Sequence, residues 1–125
     1  MAKKSVLAIG IEPALADFTA APELNPDRVR AYVHAQIEQL RALGFDAEIC
    51  LIDLGETAEQ VTAAALKAKP FDCVVIGAGL RLPAPQLLLF EKIINLIHRL
   101  APTACICFNT NPADTVAAVQ RWIEP

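Results

Sequence analysis

The sequence predicts an α/β protein in which a parallel sheet is covered by helices on both faces. Three observations carry that expectation. Short apolar runs alternate with longer amphipathic stretches four times along the chain. The apolar runs are near-continuous, as in Val74-Val75-Ile76 and Cys105-Ile106-Cys107-Phe108, which is the pattern of strands buried on both faces. Helix-start signals stand before three of the four amphipathic stretches. With 125 residues the chain can bury roughly two-thirds of its unfolded surface, so one α/β domain over residues 1–125 is expected.

The elements follow in order. SVLAIGI (5–11) reads as the first strand, and PDRVRAYVHAQIEQLRAL (26–43) as the first helix, opened by Asn25-Pro26 and closed by Gly44. FDAEICLID (45–53) is the second strand, and TAEQVTAAALKAK (57–69) the second helix, with Thr57 and Gln60 spaced as a capping box. FDCVVIGAG (71–79) is the third strand and PQLLLFEKIINLIHRL (85–100) the third helix. TACICFNT (103–110) is the fourth strand, and PADTVAAVQRWI (112–123), introduced by Asn111 as N-cap, is the fourth helix.

Such an alternation implies right-handed crossovers. The expected strand order is 2-1-3-4, with helices one and four on one face and helices two and three on the other. This three-layer αβα arrangement resembles the doubly wound, Rossmann-like architecture of flavodoxin-like proteins with the fifth strand missing. The resemblance is architectural. Receiver domains carry an acidic pair after strand one and an Asp at the end of strand three, where this chain has a single Glu12 and then Gly77-Ala78-Gly79. Flavodoxins carry a Ser/Thr-rich phosphate loop where this chain reads Ile11-Glu12-Pro13. Neither the D-x-H-x-x-G string of cobalamin-binding domains nor the C-x5-R loop of low-molecular-weight tyrosine phosphatases occurs.

Composition narrows the function classes. A net charge of −3 and the absence of a Lys/Arg block speak against nucleic acid as a partner. The apolar run Val6–Ile11 is interrupted by Glu12 and Pro13, too short for a signal peptide or a membrane span, so a soluble cytoplasmic protein without a membrane partner is expected. Cys50, Cys73, Cys105 and Cys107 lie within strand-like runs and lack metal-ligand spacing, as expected of buried free thiols. His34 and His98 fall on polar helix stripes, which suits solvated side chains; no metal site and no particular cofactor is implied.

The fourth strand is expected to be an unprotected sheet edge, since it holds neither Lys nor Pro. The helix before it is apolar beyond one face, with Leu87, Leu88, Leu89, Phe90, Ile93, Ile94, Leu96, Ile97 and Leu100. A wide core helix accounts for this, and so does a homodimer formed through strand four, helix three, or helix four with Trp122.

Ligands of open parallel sheets bind beyond the carboxyl ends of the strands, at the point where the chain order reverses. Strand one brings Gly10, Ile11 and Glu12 to that end, strand two Asp53, strand three Gly77, Ala78, Gly79 and Arg81, and strand four Asn109, Thr110 and Asn111. The glycines permit positive φ and a close backbone approach, and Arg81 could clamp a carboxylate or phosphate. A mere turn from sheet to helix explains the same residues. The fourteen-residue connection EPALADFTAAPELN (12–25) is long for a βα loop; it suits a lid, and equally an irregular surface loop or a short extra helix at PALADF. Glu12, Asp17 and Asp53 reach the same end, as oxygen ligands for Mg²⁺ or with Glu12 as acid or base, yet no nucleophile or histidine accompanies them. The first expectation is therefore a small dimeric binding or regulatory protein with a pocket for a small anionic metabolite. The alternative is an enzyme on a small polar metabolite, with Glu12 as acid/base and Arg81 as substrate clamp.

Overall fold

The computed structural model describes residues 3–19 and 21–125. Its four strands, β1 (Ser5–Ile11), β2 (Asp46–Ile52), β3 (Cys73–Ile76) and β4 (Cys105–Phe108), form one parallel sheet in the order β2-β1-β3-β4. Five helices complete the three layers: α1 (Pro26–Ala42), α2 (Ala58–Ala68), α3 (Ala78–Arg81), α4 (Leu87–Leu100) and α5 (Thr115–Gln120). Short 3-10 turns lie at Pro13–Leu15 and Ala84–Gln86. The expected α/β class and strand order are thus those of the molecule. Among the described residues no helix is long and apolar enough to cross a membrane.

Side chains of successive strand residues point to opposite faces of a sheet, and the core divides accordingly. On one face Leu7, Ile9 and Ile11 pack with Val74, Ile76 and with Leu89, Ile93, Leu96 and Ile97 of α4. On the other, Val6, Cys73, Val75 and Cys107 pack with Ile37 and Leu40 of α1 and Val116, Ala118 and Val119 of α5. Helix α4 therefore buries one stripe, half-buries Phe90, Ile94 and Leu100 against the same core, and leaves Leu87 and Leu88 58% and 64% exposed.

Cys50, Cys73 and Cys107 are buried, Cys105 is half-buried, and all four thiols are free. The Cys73 and Cys107 sulfurs lie 3.5 Å apart across β3 and β4. The Cys107 sulfur and burial together push the Cys73 thiol far above its ordinary pKa, so it packs as an uncharged group. His34 and His98 are both exposed.

Several local expectations give way. Asn25 caps α1 as its spacing implies, accepting from the Arg28 amide at 2.9 Å, and Gly44 takes φ +106° after the helix. The Thr57 hydroxyl, in contrast, makes no capping box; it donates to Asp53 Oδ2 at 2.7 Å. The last helix begins at Thr115 rather than Pro112, because Asp114 accepts from the Thr110 and Asn111 amides and holds 110–114 in a turn. The strand ladders stop short of their apolar runs, and Gly77-Ala78-Gly79 passes directly into the helical turn α3.

The sheet edge is also better guarded than its composition implies. In a parallel ladder alternate residues direct both backbone groups away from the neighbouring strand. Arg121, beyond α5, donates to the carbonyl of Phe108 at 2.8 Å. On the opposite edge Arg41 donates to the carbonyl of Ala47 through both Nε, at 3.1 Å, and Nη2, at 2.9 Å. Lys69 pairs there with Asp46 and Glu48 at 2.7 and 3.3 Å. Guanidinium groups from flanking helices thus occupy edge acceptors that another strand would use.

Candidate functional site

The α1-facing side of β1 carries Val6, Ala8 and Gly10, a series that loses volume toward the strand's carboxyl end. The opposite side carries Leu7, Ile9 and Ile11, which are buried throughout. Packing on the α1 side is therefore tight at Val6 and opens progressively along the strand. A matching change runs along α1: Ile37 is 2% exposed and Leu40 fully buried, whereas Val29 and Val33, nearer the helix start, are half-buried. The space between them is a cavity of about 350 Å³.

This cavity lies at the carboxyl ends of β1 and β3, where the strand order reverses. Ala8, Gly10, Ile49, Leu51 and Val75 form its floor, Val29 and Val33 its outer wall, and Pro13, Ala16, Asp17, Phe18, Ala21, Glu23 and Leu24 close one side. The long connection after β1 thus contributes directly to the enclosure. Gly77, Ala78, Gly79, Leu82 and Pro83 line the β3 side, and Asn109, Thr110, Asn111, Pro112 and Thr115 the β4 side.

The two strand-end glycines have different jobs. A Cβ on Gly77 would come 3.3 Å from the Ile9 carbonyl oxygen and 3.4 Å from the Gly10 Cα, so Gly77 lets two backbones approach. A Cβ on Gly79 or on Gly10 would meet nothing within 4 Å; there the missing side chain leaves the cavity open. Positive φ plays no part, since among the described residues only Gly44 and Gly55 adopt it.

Asn109 holds this end together. Its side chain is buried, accepts from the Ala78 amide at 2.7 Å, and donates to the Thr115 hydroxyl at 3.1 Å, joining β4, α3 and α5. Thr110 donates its hydroxyl to Asp114, and the Asn111 amide oxygen accepts from Ala113 at 2.7 Å. Burial raises the Asp114 pKa, but the Thr110 and Asn111 bonds outweigh it and keep the carboxyl below its ordinary value. The polar side chains of the β4 end therefore shape the wall chiefly by bonding to one another.

Arg81 is turned away from the cavity. Its guanidinium donates to the Asn109 carbonyl at 3.0 Å and lies 5.4 Å from the centre of the Phe108 ring, and Phe108 in turn meets Phe90 edge-on at 6.0 Å. Arg81 is absent from the lining. Glu12 is also outside it: Arg30 donates to its carboxylate, and that bond holds the Glu12 pKa below its ordinary value. A carboxylate paired in this way is a weak proton acceptor near neutrality.

Glu12, Asp17 and Asp53 do not converge. Asp53 accepts from the Thr57 hydroxyl and the Gly55 and Thr57 amides at the start of α2, and these bonds lower its pKa. Asp17 accepts from the Thr19 hydroxyl and amide, which lower its pKa likewise. Among the described residues no three His, Cys, Asp or Glu side chains stand close enough to hold a metal ion.

Of the residues singled out from sequence, Gly77, Ala78, Gly79, Asn109, Thr110 and Asn111 are brought together around one cavity, and Asp17 joins them. Gly10 and Ile11, expected at this end from strand one, also line it; the residues missed are Ala8, Val29, Val33, Ile49 and Leu51. Their signal was the falling side-chain volume along alternate residues of β1 opposite an unbroken apolar stripe of α1. Compared with models of known protein families the sequence matches none, and no curated protein is significantly similar to it.

Proposed function

We propose that the protein binds a small molecule in the cavity at the carboxyl ends of β1 and β3. One observation carries this reading: a space of about 350 Å³ lies at the switch point, lined by Ala8, Gly10 and Gly79 where larger side chains would fill it. That volume is at the lower end of ordinary ligand sites, roughly 300–1,000 Å³, and its mainly apolar lining with a few polar groups is characteristic of them. Binding is favoured over catalysis because the lining holds no Cys, His, Lys or Arg, and Glu12 is engaged by Arg30.

The test is a thermal-shift screen of the purified protein against small apolar, amphiphilic and polar compounds, repeated on Gly10→Val and Gly79→Val. A compound at 100 times its Kd stabilises by about 2.7 kcal/mol. The expected result is a shift in the native protein that both valine variants lose while remaining folded. Compounds that stabilise native and variant proteins equally bind elsewhere and would end this reading.

Self-association is a second proposal. With carbonyls at both sheet edges taken by Arg41 and Arg121, the surface suited to a second copy is the exposed apolar group Leu82, Leu87 and Leu88 at and just before the start of α4. A dimer in light scattering that Leu87→Glu with Leu88→Glu converts to monomer supports it; a monomer at high concentration opposes it.

A further inference from the structure

We propose that the ligand of this cavity is a small apolar amine, bound through its hydrocarbon body with its ammonium group at the mouth; the inference rests on the binding reading above. Of the residues that line the cavity, the charged ones are Asp17 and Glu23, both carboxylates at exposed positions. Asp17 is held by Thr19 through Oδ1 alone, which leaves Oδ2 without a protein donor among the described residues. Glu23 makes no side-chain hydrogen bond or ion pair among them; its backbone carbonyl, rather than its carboxylate, accepts from Arg28 at 2.8 Å.

The nearby guanidinium groups are engaged outside the cavity. Arg28 bonds that carbonyl, Arg30 pairs with Glu12 and Asp27, and Arg81 bonds the Asn109 carbonyl through Nη2, its buried Nε having no partner among the described residues. None of the three lines the cavity. An anionic ligand would leave water for an apolar space without a counter-charge, next to two carboxylates, and both effects oppose it. A cation on an apolar body meets the reverse conditions. The small anion expected from Arg81 and the glycines is thus replaced by a ligand of opposite sign.

Three probes of nearly equal size separate the possibilities: 2-phenylethylamine, 2-phenylethanol and phenylacetate. Their dissociation constants would be measured at neutral pH and low ionic strength from amide chemical shifts, with Gly10, Gly79 and Thr110 as site reporters. The amine is expected to bind about five- to tenfold more tightly than the alcohol, the size of one or two exposed Coulomb contacts, and the carboxylate more weakly than either. Asp17→Asn with Glu23→Gln should remove the amine's advantage over the alcohol. If the alcohol binds at the reporters and Gly10→Val abolishes it, but the amine has no advantage or keeps one in the double variant, the amine proposal fails and the binding reading stands. If none of the three moves the reporters, the amine proposal fails, and the binding reading is decided by the wider screen above.

Discussion

Two glycines only two residues apart, Gly77 and Gly79, look alike in sequence and act differently in the folded chain. Gly77→Ala presses a methyl group against the backbone of β1, and overpacking of this kind costs about 1–3 kcal/mol. Gly79→Ala enters open space in a helical turn and should stabilise by about 0.4–1 kcal/mol, through the reduced freedom of the unfolded chain. Urea unfolding of both variants checks the pair of signs. Asn109→Ala leaves the Ala78 amide and the Thr115 hydroxyl without their partner and is expected to cost about 1–3 kcal/mol. Acid acts on a different set of residues. Glu12, Asp17, Asp46, Asp53 and Asp114 all have lowered pKa values in the folded protein. Their contribution to stability is full above the unfolded values of about 4 and is lost as pH falls through the folded ones. Stability should therefore be level from neutrality to about pH 5 and decline below about pH 4, and Asp53→Asn should make that decline shallower in a pH series of melting curves.

At the scale of elements, α1 shows how a helix can be read correctly and still be misassigned in part. Its start was legible because Asn25-Pro26 is a local signal that acts where it stands; Asn25→Ala should lower stability by about 1 kcal/mol, measurable by thermal unfolding. Its apolar stripe, Val29, Val33, Ile37 and Leu40, implies a buried face, but periodicity reports which side of a helix is apolar and not what lies opposite. Only the small residues Ala8 and Gly10 on β1 decide that the first half of the stripe borders a cavity. The last helix failed for a related reason. Asn111-Pro112 is a valid start signal, and Asp114, three residues on, outcompetes it by accepting from two amides at once. The surroundings of Arg81 were not legible, because a cation beside a glycine turn suggests a ligand, whereas the ring of Phe108 and the Asn109 carbonyl that engage it lie 27 and 28 residues further along the chain.

For the whole molecule, strand order and layering followed from the alternation of elements, since right-handed crossovers leave few arrangements. Edge protection could not be foreseen in the same way: Arg121 acts on Phe108 from 13 residues away, and a strand's own composition says nothing of a side chain arriving from the next helix. Arg121→Ala should bare the Phe108 carbonyl and increase self-association, seen as a larger mass in light scattering at raised concentration. An unchanged mass would show that the edge is protected by other means.

The alternation of side chains along β1 has a wider bearing. Leu7, Ile9 and Ile11 belong to the core packed against α4, while residues 8 and 10 alternate with them and line the cavity from the other face. Same-facing positions on a strand are spaced about 6.6 Å apart, twice the rise per residue, so residues 8 and 10 act as successive stops on a depth gauge. Enlarging residue 8 would shorten the longest molecule that fits, and enlarging residue 10 would close the mouth, in neither case disturbing the three side chains that anchor the opposite layer. The fold thereby separates the cavity from the packing that holds the sheet together, and the size of that cavity becomes a property that single substitutions on one strand can retune.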